Sequence, residues 1–133
     1  MLSVSRVRMF QTTIKNSFML QGRGLHFGKD VIMVVHPACA DHGIIFKRLD
    51  IKGDQAYIKA SFENVSKTYL RTQLTNSFGV SIITAEHILA AFAGLGIHNA
   101  LVELSEAEVP IFDGSSKNLC KSNTQVRSYE LKK

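Results

Sequence analysis

Cysteine is scarce in this chain. Cys39 and Cys120 stand far apart, and neither belongs to a C-x-x-C pair. That argues against a disulfide scaffold or a cysteine-built zinc site and fits a reducing compartment. Long apolar runs are missing too: none reaches the roughly 18 residues a membrane-crossing helix needs, so stable membrane insertion is not expected. The first ten residues, MLSVSRVRMF, are basic and lack the apolar stretch of a signal peptide, so an irregular start over 1–11 is expected. Charge is not clustered either. The net charge of +5 invites an anionic partner, but the lysines and arginines are spread through strands and turns. No basic helix appears, which argues against a nucleic-acid partner. What is present is ordinary: 133 residues, 45% hydrophobic and 20% charged, enough for one globular domain.

Along the chain, TIKNSFML (13–20) reads as a strand, followed by the glycine-punctuated turn GRGLHFGK (22–29). DVIMVVHP (30–37) is rich in β-branched residues and is closed by Pro37; IIFKRLD (44–50) and the alternating AYIKASF (56–62) follow as further strands. Short strands fit 70–75 and 79–83. A helix then runs over 84–94, with Thr84 as candidate N-cap and Gly94 or Gly96 as its stop. Its apolar stripe is Ile88, Leu89, Phe92 and Leu95. NALVELS (99–105) reads as a strand and EVPIFDGSS (108–116) as a loop. No internal repeat is visible. The pattern predicts an α+β fold: a two-layer sandwich, mostly antiparallel sheet with a helix packed on one face.

Three stretches carry possible chemistry. GRGLHFGKD looks like a phosphate-cradling loop, but five residues separate Gly22 from Gly28 and Asp30 follows Lys29, so the spacing fails and a tight turn is the better reading. HPACADH offers His36, Cys39 and His42, with no evident fourth ligand and with Pro37 and Gly43 favouring a turn. The third is Glu86-His87 at the start of the helix. A solvated first turn explains it, because the helix dipole favours a carboxylate there by about 0.3–1 kcal/mol. From spacing alone that is the better reading, but a site has a physical basis too. Adjacent helical residues point about 100° apart, so the pair can flank one point in space. A carboxylate base beside a metal held by an imidazole is what amide or ester hydrolysis requires.

GRGLHFGK, HPACADHGIIFKRLD, ITAEHILAAFAGLGIHNALVEL and EVPIFDGSS together resemble, in order and approximate spacing, the UDP-3-O-acyl-N-acetylglucosamine deacetylases. These are the zinc amidases that commit Gram-negative bacteria to lipid A synthesis. The resemblance covers about residues 12–117 and leaves 118–133 as a polar tail outside the pattern. It implies a cytoplasmic hydrolase with a fold like domain 2 of ribosomal protein S5. It also implies a Zn2+ cofactor, a UDP-acylglucosamine substrate, Glu86 as general base and His87 as a zinc ligand. His26, in the GLH turn, is a substrate-side candidate, and Asp113 matches a loop Asp that reads as structural.

The resemblance also implies parts that this sequence lacks. In the family a second, similarly folded domain supplies an H-x-x-x-D ligand motif, a general-acid His and an apolar passage for the acyl chain. The second helix of the first domain would follow Ser116 or Lys117, and Arg71 replaces a small residue beside the metal site. The expectation is a truncated N-terminal half, scarcely active alone, that depends on a separate chain carrying the second domain. The competing readings are a non-catalytic relic or binding module that keeps the fold, and a basic nucleic-acid-binding domain on a similar scaffold.

Overall fold

A computed structural model describes residues 10–67, 72–111 and 126–130, with Phe10, Lys67 and residues 126–130 described by their backbone alone. Its elements in chain order are β1 (Phe10–Ile14), β2 (Phe18–Arg23), β3 (Asp30–Pro37), β4 (Ile44–Arg48), β5 (Tyr57–Lys59), β6 (Val65–Lys67), β7 (Thr72–Thr75), β8 (Ser81–Ile83), α1 (Glu86–Leu95), β9 (Ala100–Leu104) and β10 (Val126–Glu130). The predicted α+β architecture is the observed one. A five-stranded sheet has the order β2-β3-β9-β4-β5, and a three-stranded sheet the order β6-β7-β8. Strand pairs in both are antiparallel except β4 with β9, which run parallel.

Alternation along β3 decides which face is the core. Val31, Met33 and Val35 point inward and are buried, while Asp30 and Ile32 face out. Ala100, Val102 and Leu104 of β9 continue that inner face, as do Phe46 of β4 and Ile58 of β5. On the helix, Ile88, Ala91 and Phe92 are buried at the i, i+3, i+4 spacing of one stripe. Leu89 and Leu95 pack half-buried at its edge, and Leu74 and Ile82 join the same cluster from the small sheet. Burying a side chain of the size of Phe46 or Ile88 contributes about 1.5–3 kcal/mol. The helix stops at Gly96, whose φ of 73° suits glycine; the Ile97 amide donates to Phe92 O and the Gly96 amide to Ala93 O.

Several local expectations change. The strand expected over 13–20 is two strands, because Lys15, Asn16 and Ser17 break it and let Ile14 and Phe18 enter different sheets. The strand expected over 56–62 shortens to β5, preceded by a 3-10 turn over Gly53–Ala56. Strands β6 and β10 have no counterpart in the sequence pattern; β10 pairs antiparallel with β1. Thr84 is not the N-cap. Ala85 holds that position without a side-chain bond, while Thr84 sits at φ 63° and turns its hydroxyl elsewhere.

The HPACADH turn is sewn to β1. Gln11 donates from Nε2 to Asp41 Oδ1 (2.8 Å) and accepts from the Asp41 amide (2.7 Å), which holds Asp41 at φ 67°. Asn99 donates to the same Gln11 Oε1 (2.8 Å) and accepts from the Gly43 amide (2.7 Å).

Candidate active site

Two loops and a strap build the site. The strap is the segment 107–111, which the sequence pattern marks only as loop. The Ile83 amide donates to Ala107 O and the Val109 amide to Ile83 O, which ties it to the end of β8; the Ile111 amide donates to Arg23 O, which ties it to the end of β2. Between those ties lies Glu108, a carboxylate only 1% exposed.

Glu108 accepts three hydrogen bonds. The His26 amide (2.8 Å) and the Thr84 hydroxyl (2.9 Å) share Oε2, and the Phe27 amide (3.0 Å) takes Oε1. Hydrogen bonds to a charged acceptor contribute about 1.5–3 kcal/mol each, so this set compensates a burial that would otherwise be costly. The turn it holds is narrow: the Gly28 amide donates to Gly24 O, and the Gly24 amide to Lys29 O. A Cβ on Gly24 would lie 2.3 Å from Glu108 Oε1, so the carboxylate occupies the space that any other residue would need. His26 therefore has a fixed backbone and an exposed side chain.

Thr84 leads into α1. Its amide donates to Thr72 O and its hydroxyl to Glu108, which together hold a β-branched residue in the left-handed region, at a cost of order 1–3 kcal/mol. Two residues later comes Glu86, first of the helix, and then His87. Glu86 is half-buried; its Oε1 is enclosed and has no hydrogen-bond partner among the described residues. An enclosed oxygen left unpaired costs about 1–3 kcal/mol, so this one calls for a partner such as a water, an ion or a reacting group. His87 beside it is exposed. The structure thus brings Glu86 and His87 to one end of α1 and ties His26 to that end through Glu108 and Thr84.

The metal-donor set is partial. Glu86 supplies an unpaired oxygen and His87 an open imidazole, but no group of three His, Cys, Asp or Glu side chains converges among the described residues. In the HPACADH turn, His36 has Nδ1 on Ser17 Oγ and Nε2 on Glu103 Oε1, both at 2.8 Å, and His42 Nδ1 is 2.9 Å from Gly43 O.

Comparison with known proteins meets this geometry from a different direction. The family model for UDP-3-O-acyl N-acetylglycosamine deacetylase matches residues 11–133. The chain belongs to that family. Proteins named UDP-3-O-acyl-N-acetylglucosamine deacetylase from Marinobacter nauticus, Nitrosococcus oceani and Xanthomonas campestris pv. campestris are 50%, 49% and 48% identical to it over 106 residues. Each match covers 80% of this chain and 34% of the relative. The chain thus spans about a third of the length of these deacetylases.

Of the residues singled out for the deacetylase resemblance, Glu86, His87 and His26 are described; Arg71 and Asp113 lie outside the described residues, as does most of the expected polar tail 118–133, of which only 126–130 are described. Sequence reasoning misses Glu108, Gly24 and the actual role of Thr84. The available signal for Glu108 is an acid directly before the apolar run Val109-Pro110-Ile111 in an otherwise unremarkable loop.

Proposed function

We propose that this chain forms the part of a UDP-3-O-acyl-N-acetylglucosamine deacetylase that carries the general base and one zinc ligand. The observation that carries the reading is the enclosed, unpaired oxygen of Glu86 next to the open imidazole of His87. Glu86 takes the proton of the water that attacks the acetamide carbonyl of the UDP-acylglucosamine; acetate departs and a free amine stays on the sugar. His87 offers a nitrogen to zinc. Zinc, when bound, polarises the carbonyl and eases deprotonation of water towards about pH 7. His26, on its pinned turn, is the substrate-side contact. The place of work on this reading is the cytoplasm; no helix among the described residues is long and apolar enough to cross a membrane.

Catalytic zinc sites usually take three protein ligands. His87 is one of them, so the others come from beyond the described residues, and a separate chain bearing the second domain is the partner we propose. The incomplete donor set also favours a second reading, in which the chain alone keeps the fold without turnover. The test is acetate release from the UDP-acylglucosamine substrate with added zinc, with and without the separately expressed second domain. Activity should depend on that domain, Glu86→Gln should abolish it with zinc still bound, and His87→Ala should also weaken zinc. Turnover indifferent to Glu86→Gln would remove the base assignment.

A further inference from the structure

We propose that Glu108 is a positioning residue: its single buried carboxylate holds the 24–28 turn and the lead-in to α1 as one body, and so fixes His26 at a set spacing from Glu86 and His87. The importance given to those three side chains rests on the functional reading above.

Three donors converge on Glu108, and they come from two separate stretches of chain: the His26 and Phe27 amides from one, the Thr84 hydroxyl from the other. One oxygen, Oε2, receives a donor from each stretch. The Phe27 amide takes the other oxygen, so a group that serves all three donors must be an acceptor on both of its atoms. Glutamine has the same shape, but it would set its NH2 against a donor on one side or the other. A carboxylate accepts on both oxygens and satisfies all three, which explains why an acid stands here rather than its amide.

Three further features belong to the same device. Gly24 has no Cβ, and the carboxylate lies in the space one would fill. Thr84 is held in the left-handed region, an arrangement its hydroxyl bond to Glu108 helps maintain. The backbone ties of the strap to Arg23 and Ile83 bring Glu108 between the two stretches, but neither tie reaches residue 26 or 86. The side chain spans that remaining gap. A scaffold needing only a stable turn at 24–28 has no use for the bond to Thr84. Correct placement of a reacting group needs a supporting shell of this kind.

The test uses the full chain with labelled histidine and reads each histidine by NMR, together with amide exchange. In Glu108→Gln, the circular dichroism spectrum and cooperative melting should persist. The signals of His26 and His87 should both shift or broaden, and the His26 and Phe27 amides should exchange at least about tenfold faster. His98, past the far end of α1, should not move. Thr84→Val removes one limb only: His87 should respond while the His26 amide stays protected. If Glu108→Gln fails to fold, Thr84→Val decides. A His87 signal unchanged in Thr84→Val, or in a folded Glu108→Gln, overturns the proposal, because Glu108 would then serve its own turn alone. These signals need no turnover. Histidines that respond as expected in a chain inert even with the second domain would leave the positioning role standing and remove the deacetylase reading instead.

Discussion

Gly24→Ala is a one-methyl change with a large expected cost. The added carbon would meet Glu108 Oε1 at 2.3 Å, Cδ at 2.8 Å and Cγ at 3.2 Å, all well inside normal separation. A flexible surface glutamate would swing aside. Glu108 is 1% exposed and committed to three donors, so moving it breaks hydrogen bonds to a buried charge. Losing even part of that set should destabilise the chain by about 3–5 kcal/mol, the range seen when a buried charge loses its partner. Gly28→Ala, four residues on, is the control. Its φ is +66° but no atom of the described residues lies within 4 Å of a Cβ there, so only backbone strain remains, about 1–2 kcal/mol. Urea denaturation of the two variants beside the parent separates steric expulsion from strain, with the slope compared to exclude a change in the unfolded state. Equal losses for the two glycines, or a Gly24→Ala loss under about 1 kcal/mol, would refute the reasoning and mean that the carboxylate has room to move.

Phe46→Ala, on the fully buried inner face of β4, should cost about 3–5 kcal/mol by chemical denaturation, and a much smaller loss would show that the core collapses around the cavity. Glu86→Met should stabilise the chain by about 1 kcal/mol, because it removes an enclosed unpaired oxygen; a lower melting temperature would show that Oε1 has a partner after all. Arg48 grips Asp50 through Nε (3.0 Å) and Nη2 (2.7 Å), and these bonds hold the Asp50 carboxyl below its ordinary value. That contribution is complete above the unfolded value near 4 and fades as pH falls through the lower folded value. The pair is partly exposed, so Asp50→Asn should cost less than about 1 kcal/mol at pH 7, with the difference from the parent shrinking in acid melts.

Periodicity alone makes the core legible. The β-branched run 30–37 and the stripe Ile88, Leu89, Phe92 reveal the β3 face and the α1 face directly. The adjacency of Glu86 and His87 is likewise in the chain itself. Whatever depends on contacts distant in sequence is hidden. Lys15-Asn16-Ser17 contains no glycine or proline, so the break between β1 and β2 carries a weak turn signal. Thr84 before a helix reads as a cap, because nothing nearby announces that its hydroxyl is taken by a residue 24 positions later. Glu108 is silent for the same reason: its donors lie at 26, 27 and 84.

The strand order has a consequence for how the chain comes into being. β9 lies between β3 and β4, yet it is made long after both. Until Leu104 has left the ribosome, β3 and β4 have no common neighbour, and each presents an unpaired edge towards an open slot one strand wide. The slot accepts an alternating apolar segment, antiparallel to one wall and parallel to the other. A second nascent chain offers the same β9, so the interval between translation of β4 and β9 is when exchange of that strand between copies, or edge-to-edge association, is most open.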